Sequence, residues 1–193
     1  MRKRSRVLMA LGAACLTAAL GLTAYNLYDE YRAEKSSDES LSSLRITIRE
    51  KEDQPLLPEP QVMMTELKVD GRGYVGILDV PSLELSLPVQ GEWSEQLLKY
   101  SPCLYEGNLY DGMIIAGHNY RSHFSPLKQL APGEEIRFTD VDGNEWTYEL
   151  AGTEIIDGMD VEGMKSGDWD LTLFTCTYGG RERYTLRCSM VIE

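Results

Sequence analysis

The texture of hydrophobic and polar positions changes three times along the chain. From Val7 to Tyr28 the stretch "VLMALGAACLTAALGLTAYNLY" carries no charge. Its uninterrupted part, Val7 to Ala24, would rise roughly 27 Å as a helix, enough for a bilayer core. From Asp29 to about Lys68 the composition turns polar and charged. Leu41, Leu44 and Ile48 keep helical spacing there, so part of the segment reads as a stalk helix continuing from the apolar one. Pro55, Pro58 and Pro60 then end any helix and make a stiff connector. The segment as a whole reads as a spacer that holds the following domain off a membrane.

From Gly71 onward, short β-type runs alternate with turn residues. The predicted strands are Tyr74–Val80, Leu83–Val89, Met113–Ala116, Glu135–Thr139, Glu145–Ile156, Leu171–Cys176 and Arg183–Ile192. Between two of them "DVDGN" is a hairpin turn built on Asp-Gly. Predicted helices are brief: Ser94–Tyr100, and "SPLKQL", with Ser125 as cap and Pro126 in the first helical position. Seven or eight strands with so little helix point to a mostly β fold, a closed or nearly closed barrel. The organisation is therefore residues 1–28 as tail and transmembrane anchor, 29–70 as extracytoplasmic stalk, and 71–193 as the β-barrel domain. There are no internal repeats.

Charge sharpens this division. The chain has 193 residues and a net charge of −12. Residues 1–69 hold ten basic and ten acidic side chains, whereas residues 70–193 hold nine basic against twenty-one acidic. An acidic folded part argues against nucleic acid, which needs clustered Lys and Arg. Arg2, Lys3, Arg4 and Arg6 precede the apolar stretch, which puts the N-terminus in the cytoplasm and the barrel outside a single-pass cell-membrane anchor. Tyr25 and Tyr28 fall at the headgroup boundary. A cleaved signal peptide is the competing reading, with Leu22-Thr23-Ala24 as a poor cleavage site. Either way the barrel is exported.

Four cysteines follow from that compartment. Cys15 lies in the span, leaving Cys103, Cys176 and Cys188 outside. An odd number there leaves at least one unpaired, and an unpaired exported cysteine points to reactivity. Cys103 and Cys188 are either two packed thiols or a disulfide. No C-x-x-C spacing occurs, so no structural zinc site is expected.

The candidate chemistry sits at strand exits. "LTLFTCTYGGRERYTLRC" delivers Cys176 from an apolar strand straight into a Gly-Gly turn. "MIIAGHNYRSHF" delivers His118 from an apolar strand after a glycine, while His123 lies five residues on in what reads as a polar loop without a role. A nucleophile and a base at two strand ends can meet across a barrel rim. In the strand that returns after the turn, Arg183, Thr185 and Arg187 face one way and Tyr184, Leu186 and Cys188 the other. Arg187 is expected next to the sulfur, lowering its pKa and offering donors to an oxyanion.

These motifs resemble those of the sortases, membrane-anchored cysteine transpeptidases (thiol proteases in mechanism) of Gram-positive surfaces. "TLFTC" matches their TLxTC signature, "AGHN" resembles the segment with their catalytic histidine, and Arg187 follows the cysteine as their arginine does. "GYVGILDVPSLELSLPV" resembles the family's opening strands, and the likeness spans about residues 71–193 and the anchor. The resemblance implies an eight-stranded barrel with catalytic His118, Cys176 and Arg187, and with Thr175 shaping the oxyanion corner. It further implies attack by Cys176 on an LPxTG-like sorting signal, a thioester acyl-enzyme, and transfer of the surface protein to an amine. The amine would come from a cell-wall peptidoglycan precursor or a pilin lysine. No metal or organic cofactor does chemistry in that scheme.

The subclass stays open. Gly152–Asp170 looks short for the inserted helix of class B enzymes, although "TCTYGG" has a class B flavour, and class A or D remains. The missing second apolar span and DPW-like lid disfavour a class C pilin polymerase. Asp157, Asp160 and Glu162 raise calcium activation, against a solvated acidic loop. The alternatives to a transpeptidase are a cysteine hydrolase that uses water as acceptor and a non-catalytic, membrane-tethered peptide-binding barrel.

Overall fold

One helix, α1 (Arg2–Glu52), contains both the apolar stretch and the first half of the expected stalk. The computed structural model describes residues 2–52 and 64–192, so the proline connector lies outside the described residues. Nothing breaks the helix because Gly21 is its last glycine and it has no proline, while the strong helix formers Leu and Ala are its commonest residues. Side chains from Val7 to Tyr28 are exposed to whatever surrounds the protein, and the helix is long and apolar enough to cross a membrane. The second half is different. Ala33, Ser37, Ser40, Leu44 and Ile48 are buried at helical spacing. Leu44 and Ile48 pack on Tyr74, Ile77 and Val141 of the barrel. The Tyr74 hydroxyl donates to Ser40 Oγ at 2.8 Å, and the Arg45 guanidinium donates to Ser86 Oγ at 2.8 Å. Burying Leu44 and Ile48 stabilises the contact by about 1.5–3 kcal/mol each. Segment 29–52 is thus a packed element rather than a free spacer.

The strands that follow are β1 (Leu67–Val69), β2 (Arg72–Val80), β3 (Leu85–Gln90), β4 (Cys103–Glu106), β5 (Met113–Ala116), β6 (Glu135–Asp140), β7 (Glu145–Asp157), β8 (Leu171–Cys176) and β9 (Glu182–Met190). A short helix, α2 (Val161–Lys165), interrupts the connection from β7 to β8. The sheet order is β1-β2-β3-β4-β5-β8-β9-β7-β6, and β2 also pairs with β6. That last pairing closes β2 to β9 into an eight-stranded barrel, with β1 appended to β2.

Two short strands, β1 and β4, escape the alternation pattern. The expected helix over Ser94–Tyr100 is only a 3-10 turn at Leu97–Lys99, with Ser94 Oγ accepting from the Leu97 N–H at 3.1 Å. In the turn Ser125–Gln129 the cap position is Phe124 rather than Ser125, and Pro126 does lie in the first turn. The Asp-Gly hairpin forms as expected. Asp140 Oδ1 accepts from the N–H groups of Asp142 and Asn144, both at 2.9 Å, and Gly143 takes a left-handed φ of 91°.

Alternation along β8 and β9 decides which side chains meet. Leu171 and Leu173 of β8, with Leu186 and Cys188 of β9, point into the barrel core. Thr172, Phe174 and Cys176, with Arg187, Thr185 and Arg183, therefore share the outer face. β5 runs parallel to β8 and is buried along its whole length. The pairing Cys103–Cys188 is excluded. Their strands are separated by β5 and β8, roughly 14 Å of sheet. Both cysteines are free and buried, and burial pushes each thiol up to about 12.

Candidate active site

Cys176 is the last residue of β8 and is half-buried on the outer face. The chain then enters the turn Thr177–Arg181, where Gly179 and Gly180 adopt left-handed φ values of 92° and 72°. A residue with a side chain is strained at both, so the tight exit after the sulfur depends on the glycine pair.

His118 reaches the same rim from β5. Ala116 is paired with Phe174, and the Gly117 N–H donates to the Phe174 carbonyl at 3.0 Å. The same parallel register carries His118 and Cys176 out of the sheet side by side. The Phe124 ring packs against Gly117 so closely that a Cβ there would lie 2.4 Å from ring carbons. This is the close approach that the glycine before the histidine permits. The loop closes on itself through the Phe124 N–H, which donates to the His118 carbonyl at 3.1 Å. Burial holds His118 below the usual imidazole range, Asp29 and Glu95 oppose that shift, and Lys99 adds to it. The ring is therefore largely neutral at neutral pH.

His123 differs from its expected placement. It is fully buried rather than in a polar loop. Burial and then repulsion from His118 push it down to about 3, against the opposing effect of the Ala33 and Tyr100 backbone. It is a neutral core residue beneath Tyr120, whose ring lies 5.4 Å away.

Arg187 is not beside the sulfur. The β8–β9 register pairs it with Thr172, four residues before Cys176, or about 13 Å along the strand. Its donors are engaged there, with Nε on Glu154 Oε1 at 2.6 Å and Nη1 on the Met164 carbonyl at 2.7 Å and Thr172 Oγ1 at 3.0 Å. Nη2 donates to the Gly163 carbonyl at 2.8 Å. The residue paired with Cys176 is Arg183. Its Nη1 donates to the carbonyls of Gly180 and Glu182 at 2.9 and 3.2 Å, and its other donors have no partner among the described residues. The sequence carries the signal for this. Register positions across an antiparallel hairpin sum to a constant, and a six-residue connection from Cys176 makes Arg183 its nearest partner. Thr175 is buried and paired with Tyr184, so strand alternation turns its side chain to the face opposite Cys176.

The outer face carries a row of aromatic rings. Phe174 lies edge-on to Tyr105 at 5.3 Å, and Tyr105 edge-on to Trp93 at 5.6 Å, giving an aromatic wall on the β4 side. α2 crosses above this face. Arg187 holds its carbonyls on one side, and Lys165 pairs with Glu106 of β4 at 2.5 Å on the other. Asp160 caps α2 by accepting from the Gly163 N–H at 2.8 Å, and Asp157 accepts from the Met159 N–H at 2.9 Å. Among the described residues no group of three or more His, Cys, Asp or Glu is arranged to hold a metal.

Comparison with known proteins bears on the family and the fold. The family model described as "Sortase domain" matches residues 78–191. A search of curated proteins finds no match. Among solved structures, sortase C1 from Streptococcus agalactiae is 26% identical with a TM-score of 0.56, over 67% of this chain and 74% of that one. The Sortase D5 transpeptidase from Clostridium perfringens is 17% identical with a TM-score of 0.60, over 84% and 99% of the two chains. Sortase A from Listeria monocytogenes is 22% identical with a TM-score of 0.56, over 62% and 88%. A barrel closed by eight strands, with a cysteine and a histidine leaving adjacent parallel strands and a family match over more than half its length, places this chain in the sortase family.

Proposed function

We propose that the protein is a membrane-anchored cysteine transpeptidase that cleaves an LPxTG-like sorting signal and transfers the surface protein to an amine acceptor. The observation that carries this reading is the order across the rim, with His118 on the β5 side of Cys176 and Arg183 on the β9 side. Cys176 Sγ attacks the carbonyl of the scissile peptide bond, and its proton passes to the neutral His118. As the tetrahedral centre forms, the free donors of Arg183 stabilise the developing oxyanion. The C–N bond then breaks, His118 returns the proton to the departing amine, and a thioester remains. An incoming amine loses its proton to His118 and attacks the thioester, and Cys176 leaves as thiolate to recover the proton. The oxyanion role assigned to Arg187 thus moves to Arg183, while Thr175 supports the strand end from beneath. The outer face under α2 binds the extended signal, with Phe174, Tyr105 and Trp93 against its apolar residues. The N-terminus faces the cytoplasm and the barrel the exterior, where a peptidoglycan precursor or pilin lysine supplies the amine.

The test is mass spectrometry of products from a randomised pentapeptide library, with and without a glycyl amine. A ligated product and a trapped Cys176 thioester support the reading. Hydrolysis alone, with no ligation at saturating amine, would identify a peptidase, and no covalent adduct at all a binding module.

A further inference from the structure

The juxtamembrane turn of α1 touches the catalytic loop. The Tyr120 hydroxyl donates to Asp29 Oδ2 at 2.6 Å, and the Arg121 N–H donates to Glu30 Oε1 at 2.8 Å. The Tyr120 ring lies 4.7 Å from the His118 ring, tilted by 35°. Arg32 fixes the carboxylate from the other side, at 2.8 Å from Asp29 Oδ1. Arg32 and Arg72 both stack on Tyr100, at 5.2 and 3.9 Å from its ring centre. Asp29 is ionised at neutral pH, its carboxyl held below its usual range by the Tyr120 hydrogen bond ahead of the pull of Arg32 and Lys99. It is the residue directly after Tyr28, where the uncharged stretch ends.

We propose that Asp29, acting through Tyr120, is a positioning residue for His118, so that the membrane-anchoring helix completes the active site of the barrel. The proposal rests on His118 being the acid–base residue of the function above. A short charge-assisted hydrogen bond fixes the Tyr120 ring, and that ring packs against the His118 imidazole. The carboxylate also places a negative charge near an imidazole that must become imidazolium during each half-reaction. The charged and titratable groups around His118 are Asp29 and Arg32 from α1, Glu95 and Lys99 from the segment after β3, Tyr120 and His123 from its own loop, and Cys176 from β8. Glu95 acts in the same sense as Asp29 and Lys99 in the opposite sense. His118 is thereby tied to the first turn beyond the span, and the site lies close to the level at which the chain leaves the bilayer.

The experiment uses the full chain in lipid nanodiscs. The His118 imidazole is titrated by NMR, assigned with a His118→Gln variant, and the pH profile of kcat/KM is measured on a sorting peptide with a glycyl amine. Asp29→Asn is expected to lower the His118 titration by about half a unit to one unit and to move the matching limb of the pH profile with it. Tyr120→Phe keeps the ring and removes the hydroxyl, and is expected to shift both in the same direction. The double variant should do no more than Asp29→Asn alone, because the two act as one unit. Unchanged titrations in both single variants, or a fully additive double variant, would overturn the proposal. Should no variant and not even the wild type turn over peptide, the functional reading fails, while the titration still decides whether Asp29 governs His118.

Discussion

Arg183 stands directly across the β8–β9 ladder from Cys176, and their side chains share the outer face of the barrel. Arg187 shares that face but lies opposite Thr172, with every nitrogen of its guanidinium bonded within the protein. The two arginines of one strand therefore divide two tasks. Arg183 keeps donors free beside Cys176, and Arg187 holds α2 through the Met164 and Gly163 carbonyls.

Substitutions should separate those tasks. Arg183→Lys keeps the charge but loses the planar fork, and is expected to cost about 10²- to 10³-fold in kcat/KM with an unchanged melting temperature. Arg187→Met should instead destabilise the fold by about 2–4 kcal/mol, because it strands two carbonyls and Glu154. Glu154 is itself half exposed and can rehydrate, which favours the lower part of that range. Thermal melts and kinetics on the two variants check this. A fully active Arg183→Lys enzyme would remove Arg183 from the oxyanion site.

Thiol reactivity should single out Cys176 among the three cysteines of the barrel. Cys103 and Cys188 are buried and held near 12, so neither presents a thiolate at neutral pH. Peptide mapping after brief exposure of the folded protein to a methanethiosulfonate reagent should find the barrel label on Cys176 alone, with loss of turnover. Cys103→Ala and Cys188→Ser should remain active wherever they remain folded.

Much of this was legible in residues alone. Strand exits at Cys176 and His118 follow from apolar runs that stop at glycines, and the Leu41, Leu44, Ile48 spacing marks a helix face. The role of that face was not legible, since the partners Tyr74, Ile77 and Val141 are distant in sequence. The same reason hid Asp29 beside Tyr120, a contact across ninety-one positions. His123 looked polar because Asn119, Arg121 and Ser122 surround it in sequence, whereas the loop folds it inward under Tyr120. Arg187 was misplaced because alternation gives the face of a strand, and only the length of the turn gives the register.

Acid stability should report on His123. Its folded value is about 3 against an ordinary 6.5. Above pH 6.5 the ring is neutral in both states. Between 6.5 and 3 the unfolded chain takes up a proton that the folded protein refuses, so stability falls as the pH falls and levels off below 3. His123→Gln should flatten that dependence, measured as denaturant midpoints from pH 7 to pH 4. An equally steep curve in the variant would show that His123 is not the group responsible.

Removing α1 should harm the barrel although it leaves the barrel strands intact. A chain starting at Lys68 exposes Tyr74, Ile77 and Val141, whereas one starting at Asp29 keeps them covered. The longer chain is expected to be monomeric and the more stable of the two, by about 3–6 kcal/mol if Leu44 and Ile48 dominate the contact. Light scattering and denaturant unfolding of both chains decide this, and equal stability would return segment 29–52 to the status of a spacer.

The glycine before His118 offers the most local test. Gly117 continues the β5–β8 ladder and lies against the Phe124 ring, where an added Cβ would come within 2.4 Å of ring carbons. Phe124 is fully buried and packed in the barrel core, so it has little room to retreat. Gly117→Ala must therefore push the ring or the His118 loop aside, an overpacking that typically costs about 1–3 kcal/mol. The displacement falls on the residue adjoining His118, so kcat should drop more than stability alone explains, with little change in KM. A smaller neighbour should relieve the clash. Phe124→Leu on its own loses packing, but combined with Gly117→Ala it should recover a measurable part of the kcat lost by the single glycine variant. In a double-mutant cycle this appears as a favourable coupling between two contacting positions. Strict additivity of the two variants, in both stability and kcat, would mean that Gly117 is not there to admit Phe124.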